Sequence, residues 1–345
     1  MAPNKTLVFS KIPVGQPKVG EDLTYETREI NLDEVPAGGL IIKIESVSLD
    51  PYMRGRMRDA SIKSYSPAYT LGDPVEALGL GKVVKSASPD YAEGDLVRGR
   101  FDIAEYIAFP GEHFERRNLE KISNPHNLDL ELFLGPLGMP GLTAWSSLFE
   151  IGKPKKGDTI FISSAAGAVG QTVAQIAKHE GLRVLGSVGS KDKLDYIINE
   201  LGFDDGFDYK VEKPVEALAR IAPEGIDIYF DNVGGEQLSA AITHMKDWGR
   251  IIACGAISSF SPEGPYAIKN MGQVVPKRIQ MEGFIVGDPR FGPKYFAEHQ
   301  ETMQKWIKEG NFKAKLWVTE GIDKAGDAFV GMLRGENQGK AVVRF

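Results

Sequence analysis

The sequence predicts an α/β protein: a doubly wound parallel sheet inserted into a mostly antiparallel, β-rich domain. Three observations predict it. Short β-type runs broken by glycine and proline fill residues 1–133, strands alternate with helix-length segments over 134–302, and a strand-like tail closes 303–345. The 345 residues also exceed the usual size of one hydrophobic core, which calls for two domains.

In the first part, 40–44, 78–84 and 95–99 read as strands, punctuated by Gly38-Gly39, Asp50-Pro51 and Gly72-Asp73-Pro74. The character changes near Gly138-Met139-Pro140-Gly141. Residues 159–163 form a strand pattern and 170–180 a helix, then a strand over 183–188 and a helix from Lys191. A strand at 226–230, a helix at 236–247 and a strand at 250–254 follow. Such alternation implies parallel strands joined by crossover helices. Beyond residue 300, a helix at 301–309 precedes strand-like 315–318, and 339–345 reads as a last strand that returns to the first domain.

Composition narrows the function. A net charge of −6 argues against a broad nucleic-acid-binding surface. No run of about 18 apolar residues suggests a membrane span. The start, MAPNKTLVFSKIPVG, lacks the apolar core and cleavage site of a secretory signal. Cys254 is the only cysteine, which excludes an intramolecular disulfide and suits a reducing, cytoplasmic location.

Between the strand at 159–163 and its helix lies Ser163-Ser164-Ala165-Ala166-Gly167-Ala168-Val169-Gly170-Gln171. A turn of this kind binds phosphate through free backbone N–H groups and the helix dipole. Gly167 would admit a pyrophosphate to the backbone and Gly170 would let helix and strand pack closely, with Ala165 in the tight-turn position at negative φ. Taken alone, the turn is equally a packing device. The next strand decides. It ends Gly186-Ser187-Val188-Gly189-Ser190, without the carboxylate that would hold the ribose hydroxyls of NAD, and Lys191 and Lys193 follow. A missing acid with Lys193 nearby favours NADP. Two more glycine turns, Asp231-Asn232-Val233-Gly234-Gly235 and Cys254-Gly255-Ala256-Ile257-Ser258, end later strands and face the same crevice.

With these turns the chain resembles the medium-chain dehydrogenase/reductase superfamily, and within it the zinc-independent leukotriene B4 12-hydroxydehydrogenase/prostaglandin reductases and NADPH-dependent alkenal double-bond reductases. Asp50-Pro51-Tyr52-Met53-Arg54, 138–144 and Gly335-Glu336-Asn337-Gln338-Gly339-Lys340 carry the likeness beyond the turns, in family order. The resemblance implies a Rossmann domain inserted into a GroES-like catalytic domain, and a homodimer. It implies that Gly167, Ala168, Val169 and Gly170 line the pyrophosphate. Lys193 and Tyr209 would hold the 2′-phosphate and Asn232 the nicotinamide side. Cys254, Gly255, Ala256, Ile257, Ser258, Phe284, Ile285, Val286 and Asn337 would surround the nicotinamide and its ribose. One departure stands out: these reductases commonly carry a tyrosine where this chain has Phe260, and a phenyl ring donates no proton.

No metal is expected. Catalytic zinc takes three Cys, His or carboxylate ligands, yet the five histidines (113, 126, 179, 244 and 299) are scattered and 76–81 lacks the histidine of zinc alcohol dehydrogenases. The implied reaction is conjugate reduction of an α,β-unsaturated aldehyde or ketone, whose enolate needs only a few hydrogen bonds. Tyr52 is the catalytic candidate, a buried structural tyrosine being the other reading. Tyr52, Tyr65, Tyr69, Phe260, Tyr266 and Met271 are the candidate substrate pocket. Arg54 and Arg56 are each open to cofactor phosphates or solvent, with solvent favoured for Arg56. The loop 258–265 resembles a lid. The alternatives are an NADPH:quinone oxidoreductase, an auxiliary enoyl reductase, and a non-catalytic NADPH-binding protein.

Overall fold

Thr159–Ile162 is buried at every position. A strand apolar on both faces belongs in a parallel sheet covered by helices on both sides. The computed structural model describes residues 1–260 and 266–345. Among them, six strands form one sheet in the order Asp205–Asp208, Arg183–Val188, Thr159–Ile162, Ile226–Asp231, Met245–Ala253, Gln280–Gly283. Every neighbouring pair is parallel. Counted in chain order this is 3-2-1-4-5-6, the doubly wound dinucleotide-binding arrangement, whose order reverses between Thr159–Ile162 and Ile226–Asp231. On one face Phe161 stacks against both Phe207 and Tyr229, with ring centroids 5.9 and 5.1 Å away.

The other sheet is built around Leu40–Ser48, which pairs antiparallel with Glu76–Ser86, Tyr106–Phe109 and Lys340–Arg344. Leu316–Glu320 then joins Lys340–Arg344 in parallel. The tail therefore returns to the first domain, as its sequence suggested.

The chain divides into two units: Met1–Leu134 with Leu316–Phe345, and Gly135–Lys315. The second boundary falls after Lys315 rather than at 302/303, for two reasons. The helix expected at 301–309 runs Gly292–Lys308 and anchors to the second unit, His299 Nε2 meeting the Pro136 carbonyl at 2.9 Å. Beyond it, Gln175 and Gln171, one turn apart on the helix Ala168–His179, clamp the backbone of Lys313 and Lys315 through bonds of 2.7–3.1 Å. The helix expected over 236–247 stops at His244, and its last residues open the strand Met245–Ala253.

In the second unit Glu150 accepts from Lys294 Nζ at 2.6 Å, Arg290 Nε at 3.0 Å and Tyr295 Oη at 2.8 Å. These bonds, that from Lys294 foremost, lower its pKa to about 2. A depressed carboxylate adds stability above its unfolded value, and that contribution fades as pH falls through the folded value. Glu150→Gln is therefore expected to be less stable than the native chain at pH 7, with the gap closing between pH 4.5 and about 2. Urea unfolding at stepped pH measures it; a gap independent of pH would refute the assignment.

Candidate cofactor site

The glycine turn begins where Thr159–Ile162 ends, and Gly167 is the N-cap of the helix Ala168–His179. Ala168, Val169 and Gly170 thus lie in its first turn, where N–H groups lack helical partners. Ser164, at φ +52°, rather than Ala165, takes the left-handed conformation of the turn. Ala165 is buried, and its N–H donates to the Ser187 carbonyl at 2.9 Å. A Cβ on Gly170 would lie 2.5 Å from the Ser164 carbonyl oxygen and 2.8 Å from Ala165 Cα. Both are backbone atoms, so Gly170→Ala is expected to displace the helix start at about 1–3 kcal/mol. Weaker NADPH binding in a titration is the readout, and unchanged affinity would sink the expectation.

At the next strand end, Ser190 accepts from the Lys193 N–H at 3.3 Å and caps the helix Lys191–Asn199. A Cβ on Gly189 would touch the Tyr209 ring and hydroxyl at 3.0 Å, so Tyr209 closes over the bare strand end. Burial, and then the neighbouring Lys210 charge, push the Lys193 pKa down. Lys193 and Lys210 thus lie within electrostatic reach of each other, and Tyr209 packs on Gly189, at a strand end where glycine and serine stand in place of a ribose-binding acid. That donor set fits the 2′-phosphate of NADP. Lys191 is directed to Asp195 instead.

The remaining turns gather at the carboxyl ends of the later strands. Asn232 donates from Nδ2 to the Ser163 carbonyl at 2.8 Å. The N–H groups of Cys254 and Gly255 donate to the Asp231 carbonyl at 3.0 and 2.9 Å. Ser258 Oγ donates to the Val233 carbonyl at 2.6 Å. Gly255 and Ala256 are exposed, and Ile257 begins the short helical turn Ile257–Phe260. Phe284, Ile285 and Val286 follow Gln280–Gly283, with Phe284 against Phe291 at 4.9 Å. Tyr266 lies beside Gly235, but Tyr266 and Met271 are largely exposed, whereas Phe260 is half-buried. Of the lid segment, 261–265 lie outside the described residues.

Burial, and secondarily Asp231, push the Cys254 thiol up to about 12. Since the thiolate is the nucleophile, folded protein is expected not to react with a disulfide reagent at pH 8. Urea-unfolded protein should release one equivalent for its single cysteine. Rapid reaction of the folded chain would contradict this.

In the first unit, Tyr52 opens the short helix Tyr52–Arg56 and is half-buried. Burial and the Asp50 charge raise its phenol pKa, so Tyr52 is a protonated donor at neutral pH. Asp50 is itself buried. It accepts from Lys340 Nζ at 2.9 Å and from the Ser48 hydroxyl, while Lys340, 1% exposed, also donates to the Leu49 carbonyl. Arg56 is not in solvent: it pairs with Glu76 at 2.7 Å, its guanidinium 4.2 Å from the centre of the Tyr69 ring. Tyr69 is buried with its hydroxyl committed to the Glu76 carbonyl at 2.6 Å, which leaves it a structural role. Tyr65 is exposed. Arg54 donates to the Gly15 carbonyl at 2.7 Å, and Asn337 donates to the Gly339 carbonyl at 2.7 Å. The Asp50–Lys340 pair leaves no signal in the sequence because its partners stand 290 positions apart.

Among the described residues no three His, Cys, Asp or Glu side chains form a metal-binding group, and no helix is long and apolar enough to cross a membrane.

The sheet order and its glycine turn define a dinucleotide-binding domain. Comparison with known proteins agrees. Residues 5–116 match the family model described as N-terminal domain of oxidoreductase, and 168–305 match that described as zinc-binding dehydrogenase. The chain is 50% identical to an NADP-dependent oxidoreductase of Cochliobolus heterostrophus, covering 100% of this chain and 98% of that protein. It is 41% identical to the NADP(+)-dependent 2-alkenal reductase of Nicotiana tabacum, over 99% and 97%. The crystal structure of CurA from Vibrio vulnificus in complex with NADPH superposes with a TM-score of 0.88 at 34% identity, over 99% and 98% of the two chains. The chain belongs to the medium-chain dehydrogenase/reductase family, on the branch that includes the 2-alkenal reductases.

Proposed function

We propose that this protein is an NADP-dependent oxidoreductase that reduces the carbon–carbon double bond of α,β-unsaturated aldehydes or ketones. The observation that carries the reading is the chain-long likeness to an NADP-dependent 2-alkenal reductase; the cation-lined corner of Lys193 and Tyr209 supports it. Bound NADPH supplies the hydride received by the substrate's β-carbon. Negative charge then moves to the carbonyl oxygen as an enolate, and the protonated Tyr52 hydroxyl is the donor assigned to that oxygen. Phe260 supplies no hydroxyl, so the α-carbon proton comes from water or another hydroxyl. The scattered histidines and the single cysteine, Cys254, favour chemistry without zinc. A cytoplasmic homodimer completes the reading, with the sheet-edge strand Gln280–Gly283 and its exposed Met281 available for association.

The test is NADPH consumption with a medium-chain 2-alkenal, an aryl enone, a quinone and a saturated aldehyde, repeated with NADH and with a chelator. Alkenal or enone turnover that prefers NADPH and ignores chelator is the expected result. Quinone-only turnover would overturn the reading, as would tight NADPH binding with no turnover of any substrate.

A further inference from the structure

We infer that Asp231 is a positioning residue for the nicotinamide half of the cofactor, its buried carboxylate shaping the turn at 231–235 and meeting Ser163 of the glycine turn, while its backbone carbonyl holds the turn at 254–255. The inference rests on the NADPH reading above. Asp231 ends the strand Ile226–Asp231 at the point where the sheet order reverses, and is 2% exposed. Its Oδ1 accepts from the Gly234 N–H at 2.7 Å and the Val233 N–H at 3.0 Å, which shapes the turn that follows. The Tyr229 hydroxyl lies 2.7 Å from the same oxygen and 3.1 Å from Ser163 Oγ. Ser163 Oγ in turn accepts the Asn232 N–H at 2.9 Å, so the glycine turn after Thr159–Ile162 is bound to the Asn232 turn. On the other side, the Asp231 backbone carbonyl receives Cys254 and Gly255.

An ionised carboxylate suits this place because it only accepts, and every group around Oδ1 donates. Burial raises the Asp231 pKa, and the bonds from Gly234, Tyr229 and Val233 oppose that rise. The turn it shapes also needs its glycines: Gly234 and Gly235 sit at φ +71° and +57°. In a doubly wound sheet the two halves of a dinucleotide lie over the two halves of the strand order. Lys193 and Tyr209 flank the strands Arg183–Val188 and Asp205–Asp208, on the adenosine side, whereas Asp231 serves the other half. Its loss should therefore weaken one part of the cofactor's grip and spare the rest.

The experiment titrates NADPH and 2′,5′-ADP, which lacks the nicotinamide half, against native protein, Asp231→Ala and Asp231→Asn. Asp231→Ala is expected to weaken NADPH about tenfold or more by leaving buried donors unpaired, and 2′,5′-ADP by less than about twofold. Asp231→Asn keeps an oxygen at Oδ1 and should recover most of the NADPH affinity. Equal weakening of both ligands would reduce Asp231 to a general scaffold residue and overturn the inference; so would unchanged NADPH binding. If Asp231→Ala does not fold, Tyr229→Phe removes one donor to Oδ1 and must give a smaller loss confined to NADPH. Native protein that binds both ligands but reduces no enal would sink the reductase reading and leave this inference standing.

Discussion

Replacing Lys340 with methionine is expected to destabilise the protein by about 3–5 kcal/mol, the usual result of leaving one partner of a buried ion pair uncompensated. Lys340 and Asp50 are 1% and 6% exposed and 2.9 Å apart. Burial pushes the Lys340 pKa down, and the Asp50 charge works against that. Methionine roughly keeps the volume of the stem, so what is lost is the charge with its hydrogen bonds to Asp50 and the Leu49 carbonyl. Asp50 then retains the Ser48 hydroxyl but loses its cation. The double variant Lys340→Met with Asp50→Asn should recover a large part of the loss, because no buried charge remains. Urea unfolding of the native, single and double variants reads both effects. A single variant within about 0.5 kcal/mol of native would show that the pair contributes no net stability.

Tyr52→Phe carries the other large effect, and it falls on kcat. Removing one preorganised donor to a developing oxyanion typically costs about 10²–10³ in rate, or ~2.7–4 kcal/mol of barrier. Phenylalanine preserves the ring, and the glycine turns that end strands 159–162, 226–231 and 245–253 belong to other parts of the chain. NADPH affinity should therefore stay within about twofold while kcat for a 2-alkenal falls. A drop smaller than about tenfold would assign the enolate oxygen to another donor. If kcat and NADPH affinity fell together, Tyr52 would be a structural tyrosine instead.

Much of the fold was legible because its signals are local. The short runs at 159–163 and 183–188, each followed by a helix-length segment, read as buried strands, and the glycine turns after three strands mark the carboxyl ends where a dinucleotide binds. The absence of an acid after Val188, with Lys193 close behind, speaks for NADP from the sequence alone. Other elements were hidden. Leu23–Ile30 pairs with Ala2–Phe9, but its sequence, LTYETREI, is mostly polar and exposes several side chains, so no core-facing pattern marks it. The helix Gly292–Lys308 begins nine residues before 301, its entry masked by a proline in its first turn. Pro at that position starts a helix as readily as it breaks one.

The site divides along the same line. Residue type and spacing by themselves carried the strand–turn–helix pattern, the missing acid after Val188 and the strand-like tail that pairs with the first domain. They did so because phosphate recognition by a strand–turn–helix needs only a short contiguous segment. Tertiary structure alone decided that Tyr69 and Arg56 are committed to Glu76, that Lys340 reaches Asp50 across 290 positions, and that Asp231 joins Ser163 across 68. Those pairings depend on which polar groups lose water together when the sheets close. A buried charge must then find its partner wherever the topology has brought one, and spacing along the chain carries no trace of that.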